Sequence, residues 1–220
     1  MKKSSRIDVM IVDDHPLVRD GLREIINRES DMSVCAEASD HEEAVKALSS
    51  KPVSVAIVDI TLKSSQSGLD LVKAIRSRFP SVKCLVLSMH DENVYAERAL
   101  KAGAMGYIMK HEAGRSVIES IRQVNAGEIC VSPSVSKRIM SAYLTGVTAA
   151  DDPVSALSDR ELEVFKLIGR GMKTSDIAKE LRLSVSTVET YRANIKDKLG
   201  LSSSAELAKA AVESAVSGAV

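Results

Sequence analysis

Over residues 1–126 the chain alternates short apolar runs with longer stretches whose apolar positions recur at helical spacing. The runs at 7–12, 33–36, 53–60, 83–87 and 106–109 are rich in Val, Ile and Leu and predict strands. The run at 53–60, Val-Ser-Val-Ala-Ile-Val-Asp-Ile, is nearly unbroken, as expected of a strand covered on both faces, which loses polar alternation. Helices are predicted between the runs. Pro16 suits the first turn of a helix that carries Leu17, Leu22, Ile25 and Ile26 inward. Asp40 and Glu43 have capping-box spacing ahead of a helix through Leu48, and Pro80 stops a helix begun at Gly68. Helices over 92–101 and 112–125 complete five strand-then-helix repeats. Right-handed crossovers then place helices on both faces of one parallel sheet, a doubly wound α/β domain.

Past residue 126 the pattern becomes helical throughout. A helix is predicted over 132–144, while 146–155, Gly-Val-Thr-Ala-Ala-Asp-Asp-Pro-Val-Ser, has linker composition. Ser158 and Glu161 repeat the capping-box spacing before a helix to Ile168, which Gly169 and Gly171 end. Helices over 174–181 and 185–198, joined by the turn 182–184 and stopped at Gly200, have a helix-turn-helix arrangement. A final helix covers 205–216. The expected organisation is an α/β domain over 1–126, a linker with one helix over 127–156, and a small all-α domain over 157–220.

Composition narrows the partners. Lysine plus arginine and aspartate plus glutamate number 30 each, so any polyanion binding must come from local placement. Cys35, Cys84 and Cys130 lack a Cys-x-x-Cys pair and read as reduced structural thiols of a cytoplasmic protein. No stretch has the length and apolarity of a signal-peptide core or a membrane span, so no membrane partner is expected.

The strand ends carry the candidate chemistry. The first run ends in Asp13-Asp14, the third delivers Asp59, the fourth ends in Ser88, and the fifth contains Tyr107 and ends at Lys110. In parallel strands these groups share one rim, where ligands of open α/β sheets collect. Two carboxylates about 5 Å apart repel by roughly 3 kcal/mol at an effective dielectric near 20, so a cation is needed to hold the acids together. Few, hard oxygen ligands favour Mg²⁺ over Ca²⁺ or Zn²⁺. A carboxylate beside Mg²⁺, an ammonium group and a hydroxyl is equipped for phosphoryl transfer, with Asp59 as nucleophile, Lys110 neutralising phosphoryl charge and Ser88 bonding the transferred group.

These residues, Ile-Val-Asp13-Asp14-His-Pro, the lone Asp59, Leu-Ser88-Met-His and Gly-Tyr107-Ile-Met-Lys110, resemble the receiver domain of two-component response regulators over 6–126. The tail, from Leu157-Ser-Asp-Arg-Glu-Leu-Glu-Val through Thr187-Val188-Glu189-Thr190-Tyr191-Arg192 to Lys198-Leu-Gly200, resembles the LuxR-type DNA-binding domain, and the whole is similar to the NarL/FixJ class. The resemblance implies a flavodoxin-like five-stranded sheet followed by a helix-turn-helix. It further implies phosphorylation of Asp59 by a sensor histidine kinase, with Asp14, Asp59 and the Thr61 backbone carbonyl as Mg²⁺ ligands and Asp13 acting through water. Ser88 and Tyr107 would relay the change to the surface of the fourth helix, fifth strand and fifth helix. One departure is the loop after Asp59, 62–67, which has no proline and reaches Gly68 one residue later than the family pattern.

With Val188 at the centre of the buried stripe of 185–198, Ile195 and Leu199 share its face, and Glu189, Thr190, Ala193 and Asp197 fall opposite. The second helix of such a motif reads the major groove of double-stranded DNA. By resemblance Glu189, Thr190 and Ala193 are base-facing: Glu189 can accept from a cytosine amino group, and the two methyl groups can touch thymine. Thr187, Arg192, Lys196 and Lys198 join the candidate DNA contacts, with Lys173, Lys179 and Arg182 also available for phosphates. Asp176, Glu180, Glu189 and Asp197 oppose them, so one domain should bind weakly, and pairing two heads would add roughly 10²- to 10⁴-fold. The stripe Leu207, Ala208, Ala211, Val212 and Ala215 of the last helix can pack against its own domain; the resemblance implies instead that it is the interface of a homodimer formed on phosphorylation. Two rival readings stand beside this one. A phosphate hydrolase would place a second acid where Thr61 stands, which disfavours an enzyme; a phosphorylation-independent DNA binder would carry a decayed receiver.

Overall fold

The structure, a computed structural model, describes residues 6–62, 66–145 and 153–216. Its packing divides into two units, Met1–Lys137 and Arg138–Val220. In the first, strands β1 (Ile7–Val12), β2 (Met32–Ala38), β3 (Val55–Val58), β4 (Lys83–Ser88) and β5 (Gly106–Met109) form one parallel sheet in the order β2-β1-β3-β4-β5. Helices α1 (Pro16–Asn27), α2 (His41–Ser50), α3 (Gly68–Arg78), α4 (Glu92–Ala102) and α5 (Ala113–Ala126) alternate with the strands, giving the expected flavodoxin-like, doubly wound fold. Val9, Ile11, Val55, Ile57, Leu85, Leu87 and Ile108 from the sheet pack with Ile26, Val117 and Ile121 in one core. Their burial drives the fold, since each large apolar side chain taken from water contributes about 1.5–3 kcal/mol.

Register sets the site. Val12 pairs with Val58 and Val58 with Val86, so β1 and β3 end level and β4 runs two residues further, to Ser88. The strand order reverses beside β1, and the crevice outside those carboxyl ends is where such sheets bind ligands.

Local details differ from the expectations. β3 spans four residues rather than 53–60, because its neighbours pair with it only from Val55 to Val58. β2 is longer than 33–36, since β1 pairs along its length, with an irregularity between Val9 and Met10 that absorbs one residue. Asp40 caps α2 by accepting from the Glu43 amide, but Glu43 bonds the Ser39 amide and hydroxyl instead of closing a capping box. Leu17 is exposed, because only Leu22 and Ile26 of α1 lie fully against the sheet. Residues 63–65 of the loop after Asp59 and 146–152 of the expected linker lie outside the described residues.

Helix α6 (Pro133–Thr145) begins in the first unit and ends in the second, so the packing boundary falls inside the one helix expected of the linker. The second unit continues with α7 (Asp159–Gly169), α8 (Thr174–Glu180), α9 (Val185–Leu199) and α10 (Ser204–Val216). Ser158 and Glu161 form a complete capping box on α7. Gly169 belongs to α7 rather than ending it: a Cβ there would stand 2.6 Å from the Ala211 carbonyl oxygen, so the glycine lets α10 approach. Leu207 and Ala211 are consequently buried as α10 packs on α7.

Candidate functional site

Main-chain bonds carry the ladder one residue past the strands. The Asp59 amide donates to the Val12 carbonyl at 2.8 Å, and the Asp13 amide to the Ala38 carbonyl at 3.2 Å. This extension sets Asp13 and Asp59 side by side. Gly68, the first residue of α3, closes the pocket from behind, for its amide donates to the Ile60 carbonyl at 2.7 Å and a Cβ there would overlap the Asp59 carbonyl oxygen at 1.8 Å. The residue that ends the departing loop therefore has to be glycine.

Asp13, Asp14 and Asp59 are all buried. Ligand atoms of these three and of His15 lie within 4.8 Å of one another. Lys110 Nζ bridges Asp59 Oδ2 and Asp13 Oδ2 at 2.7 Å each, and His15 Nδ1 lies 2.7 Å from Asp14 Oδ1 and 3.2 Å from Asp13 Oδ1. Burial raises the Asp59 carboxyl to about 6, even though Lys110 acts to lower it. Burial also works against the Lys110 ammonium, but Asp59 and Asp13 outweigh it and hold that group above the ordinary lysine value. A cluster of oxygen donors, held close against mutual repulsion with one ammonium among them, fits a hard divalent cation.

On the other side of Asp59, the Ser88 hydroxyl is buried at the end of β4 and accepts from the His90 amide at 3.1 Å. Tyr107 points inward, its hydroxyl donating to the His90 carbonyl at 2.7 Å, and burial pushes its phenol up. The His90 ring stacks on Tyr95 with centroids 4.6 Å apart, and its Nε2 lies 2.9 Å from Thr61 Oγ1. Asp59 in turn accepts from the Thr61 amide. The structure thus brings Asp13, Asp14, Asp59, Thr61, Ser88, Tyr107 and Lys110 onto one rim. It adds His15 and His90, to which the sequence reading gave no role; each lies one or two residues past a strand-end polar group, a position that marks the same rim.

In the second unit Val188 and Ile195 are buried and Leu199 is half-buried, leaving Glu189, Thr190, Ala193 and Asp197 exposed on α9. Not every candidate contact is free. Lys198 is held at 2.6 Å by Glu161 of α7, and Thr187 spends its hydroxyl on Ser184, 2.7 Å away, at the start of α9. Arg192 stands 3.7 Å from Glu189, whose side chain remains 58% exposed, and Lys196 is half-buried. The dimer stripe is divided too: Leu207 and Ala211 face α7 and are unavailable to another copy, while Ala208, Val212 and Ala215 keep exposed area.

A buried carboxylate gripped by lysine beside two further acids, at the switch point of a 2-1-3-4-5 sheet and in one chain with a helix-turn-helix, defines a class: receivers that govern an attached DNA-binding domain. Residues 9–122 match the family described as "Response regulator receiver domain", and residues 155–211 match "Bacterial regulatory proteins, luxR family". The chain belongs to the response regulators of this luxR-type architecture and is a phosphorylation-dependent, DNA-binding transcription regulator. It is 36% identical over 210 residues to the oxygen regulatory protein NreC of Staphylococcus epidermidis, covering 93% of this chain and 96% of that one. NreC of Staphylococcus carnosus is 35% identical over 209 residues with the same coverage. Among solved structures, RcsB of Salmonella enterica serovar Typhimurium, bound to a promoter in the presence of phosphomimetic BeF3-, is 26% identical. It aligns with a TM-score of 0.61 over 94% of this chain and 98% of that one. A LuxR-family response regulator from Aurantimonas sp. is 31% identical with a TM-score of 0.58, over 64% of this chain and 99% of that one.

Proposed function

We propose that Asp59 takes a phosphoryl group from the phosphohistidine of a sensor histidine kinase and that this controls how the chain pairs on DNA. The observation that carries the reading is the buried Asp59 carboxylate, in contact with Lys110 at 2.7 Å and clustered with Asp13 and Asp14. An Asp59 carboxylate oxygen attacks phosphorus, the P–N bond breaks, and the imidazole leaves with the bonding electrons. Lys110 balances charge on the phosphoryl oxygens, and the Ser88 hydroxyl donates to one of them. Asp14, Asp59, the Thr61 carbonyl and, through water, Asp13 would hold Mg²⁺, which when bound supplies positive charge to the transferring group. The chain's own activity ends with this acceptor step, so it is a regulator rather than an enzyme with turnover.

Residues 1–126 serve as receiver, 127–156 as linker and 157–220 as DNA-binding domain, acting in the cytoplasm. Among the described residues no helix is long and apolar enough to cross a membrane. Glu189, Thr190 and Ala193 face the bases, and Arg192 and Lys196 reach phosphates. Double-stranded DNA is bound by a homodimer, in which Ala208, Val212 and Ala215 of α10 meet a second copy. Solved RcsB structures include dimers bound to DNA. Incubation with acetyl phosphate and Mg²⁺ tests the reading. A lasting adduct on Asp59 with stronger DNA binding supports it; turnover without an adduct supports a hydrolase, and no reaction supports a decayed receiver.

A further inference from the structure

The segment from Ser88 to Glu92 leaves the phosphoacceptor pocket and ends on a contact outside it. Glu92, the first residue of α4, accepts through one oxygen, Oε1, from the hydroxyls of Ser132 and Ser134 at 2.8 Å each. Ser132 stands just before α6, and its Oγ also accepts from the Val135 amide at 3.2 Å, while Pro133 fills the first helical position. The two hydroxyls lie 2.8 Å from each other, so two protons serve three short contacts. The carboxylate takes precedence, because hydrogen bonds to a charged acceptor are the stronger ones. Glu92 thereby places its charge at the N-terminal ends of two helices, its own and α6, where helix dipoles favour an anion.

The other end of the segment is tied to the pocket. Ser88 Oγ holds the His90 amide, Tyr107 holds the His90 carbonyl, and the Asp91 side chain accepts from the Asn93 amide to start α4. No glycine interrupts residues 88–92, and these bonds hold the segment between the pocket and the start of α4. Val135, in the first turn of α6, is fully buried, and α6 runs on past Lys137 into the second unit. We propose that Glu92 is a positioning residue: through Ser132 and Ser134 it transmits the state of Ser88 to the start of α6, the helix that leads to the DNA-binding unit. The inference rests on phosphorylation of Asp59 as proposed above.

The test uses the full chain and the variants Glu92→Ala, Glu92→Gln and the double change Ser132→Ala with Ser134→Ala. Asp59 labelling by acetyl phosphate, amide exchange at Val135 and Ser136, and affinity for a duplex selected from a random library by the wild-type chain are measured, the affinity with and without beryllofluoride. Glu92→Ala and the serine pair are expected to label within about twofold of wild type. Their α6 amides should exchange faster, and the beryllofluoride-induced gain in affinity should shrink by roughly fivefold or more, the lower range of coupling between sites. Glu92→Gln, which keeps an oxygen that accepts the hydroxyls but loses the charge, should fall between Glu92→Ala and wild type. A Glu92→Ala chain that labels and responds like wild type overturns the inference, as does a Glu92→Gln chain as deficient as Glu92→Ala. Absence of labelling in the wild-type chain overturns the phosphoacceptor reading as well, and so separates the two failures.

Discussion

Replacing Asp59 with Asn should abolish phosphoryl uptake and, in the metal-free protein at neutral pH, make the receiver more stable. Burial lifts the Asp59 carboxyl from 3.8 to about 6. Between those values the native protein holds a proton that the unfolded chain has already released, so its stability falls as pH rises through about 6. Two units correspond to roughly 3 kcal/mol of strain at pH 7, at about 1.4 kcal/mol per unit. Asparagine has nearly the same shape and cannot ionise, and Lys110 keeps its 2.7 Å contact with Asp13. Calorimetry in a chelator should therefore show the receiver transition of Asp59→Asn about 5–10 °C above wild type at pH 7, given a few degrees per kcal/mol for a unit of this size. The gap should close as pH approaches 4. Added Mg²⁺ should narrow it at pH 7, because a cation that binds the native wild-type cluster stabilises it by mass action. An Asn variant equal to or less stable than wild type at pH 7 in chelator would refute the claim that the pocket is a strained cluster of like charges.

Six further variants have outcomes set by the geometry. Lys110→Met removes the ammonium that bridges Asp13 and Asp59 and should slow labelling by acetyl phosphate about 100-fold or more, measured as initial rate on a phosphoprotein gel. Gly68→Ala forces a Cβ onto the Asp59 carbonyl oxygen, and a loss of roughly 3 kcal/mol or more in urea unfolding should accompany poor labelling. Glu189→Lys should change the preferred base at one operator position in a selection from random duplexes, whereas Lys196→Ala should weaken all duplexes alike and flatten the salt dependence by about one unit of slope. Leu207→Ala should cost about 2–4 kcal/mol of stability in the DNA-binding unit, since Leu207 is fully buried, while Val212→Asp should leave folding intact and weaken dimers in sedimentation.

The five strand-and-helix repeats and the placing of the rim residues at strand ends are legible in the chain because they depend on local pattern. Buried parallel strands need unbroken apolar runs, such a strand has to end where a polar residue can reach solvent or a ligand, and helix periodicity separated the buried Val188 and Ile195 from the exposed Glu189 and Ala193. Other features exist only because distant segments meet. Periodicity gives the apolar face of the last helix but not what covers it. Its Leu207 and Ala211 proved to be taken by α7, where Gly169 lets the helices close. Lys198 reads as a free cation in the sequence, but Glu161, 37 residues away, holds it at 2.6 Å. Nothing in the sequence shows what His90 and Glu92 meet; parallel register and the return of the chain past β5 bring Thr61, Tyr107, Ser132 and Ser134 to them. Residue type and spacing decide which groups reach the rim, and packing decides which of them remain free to act there.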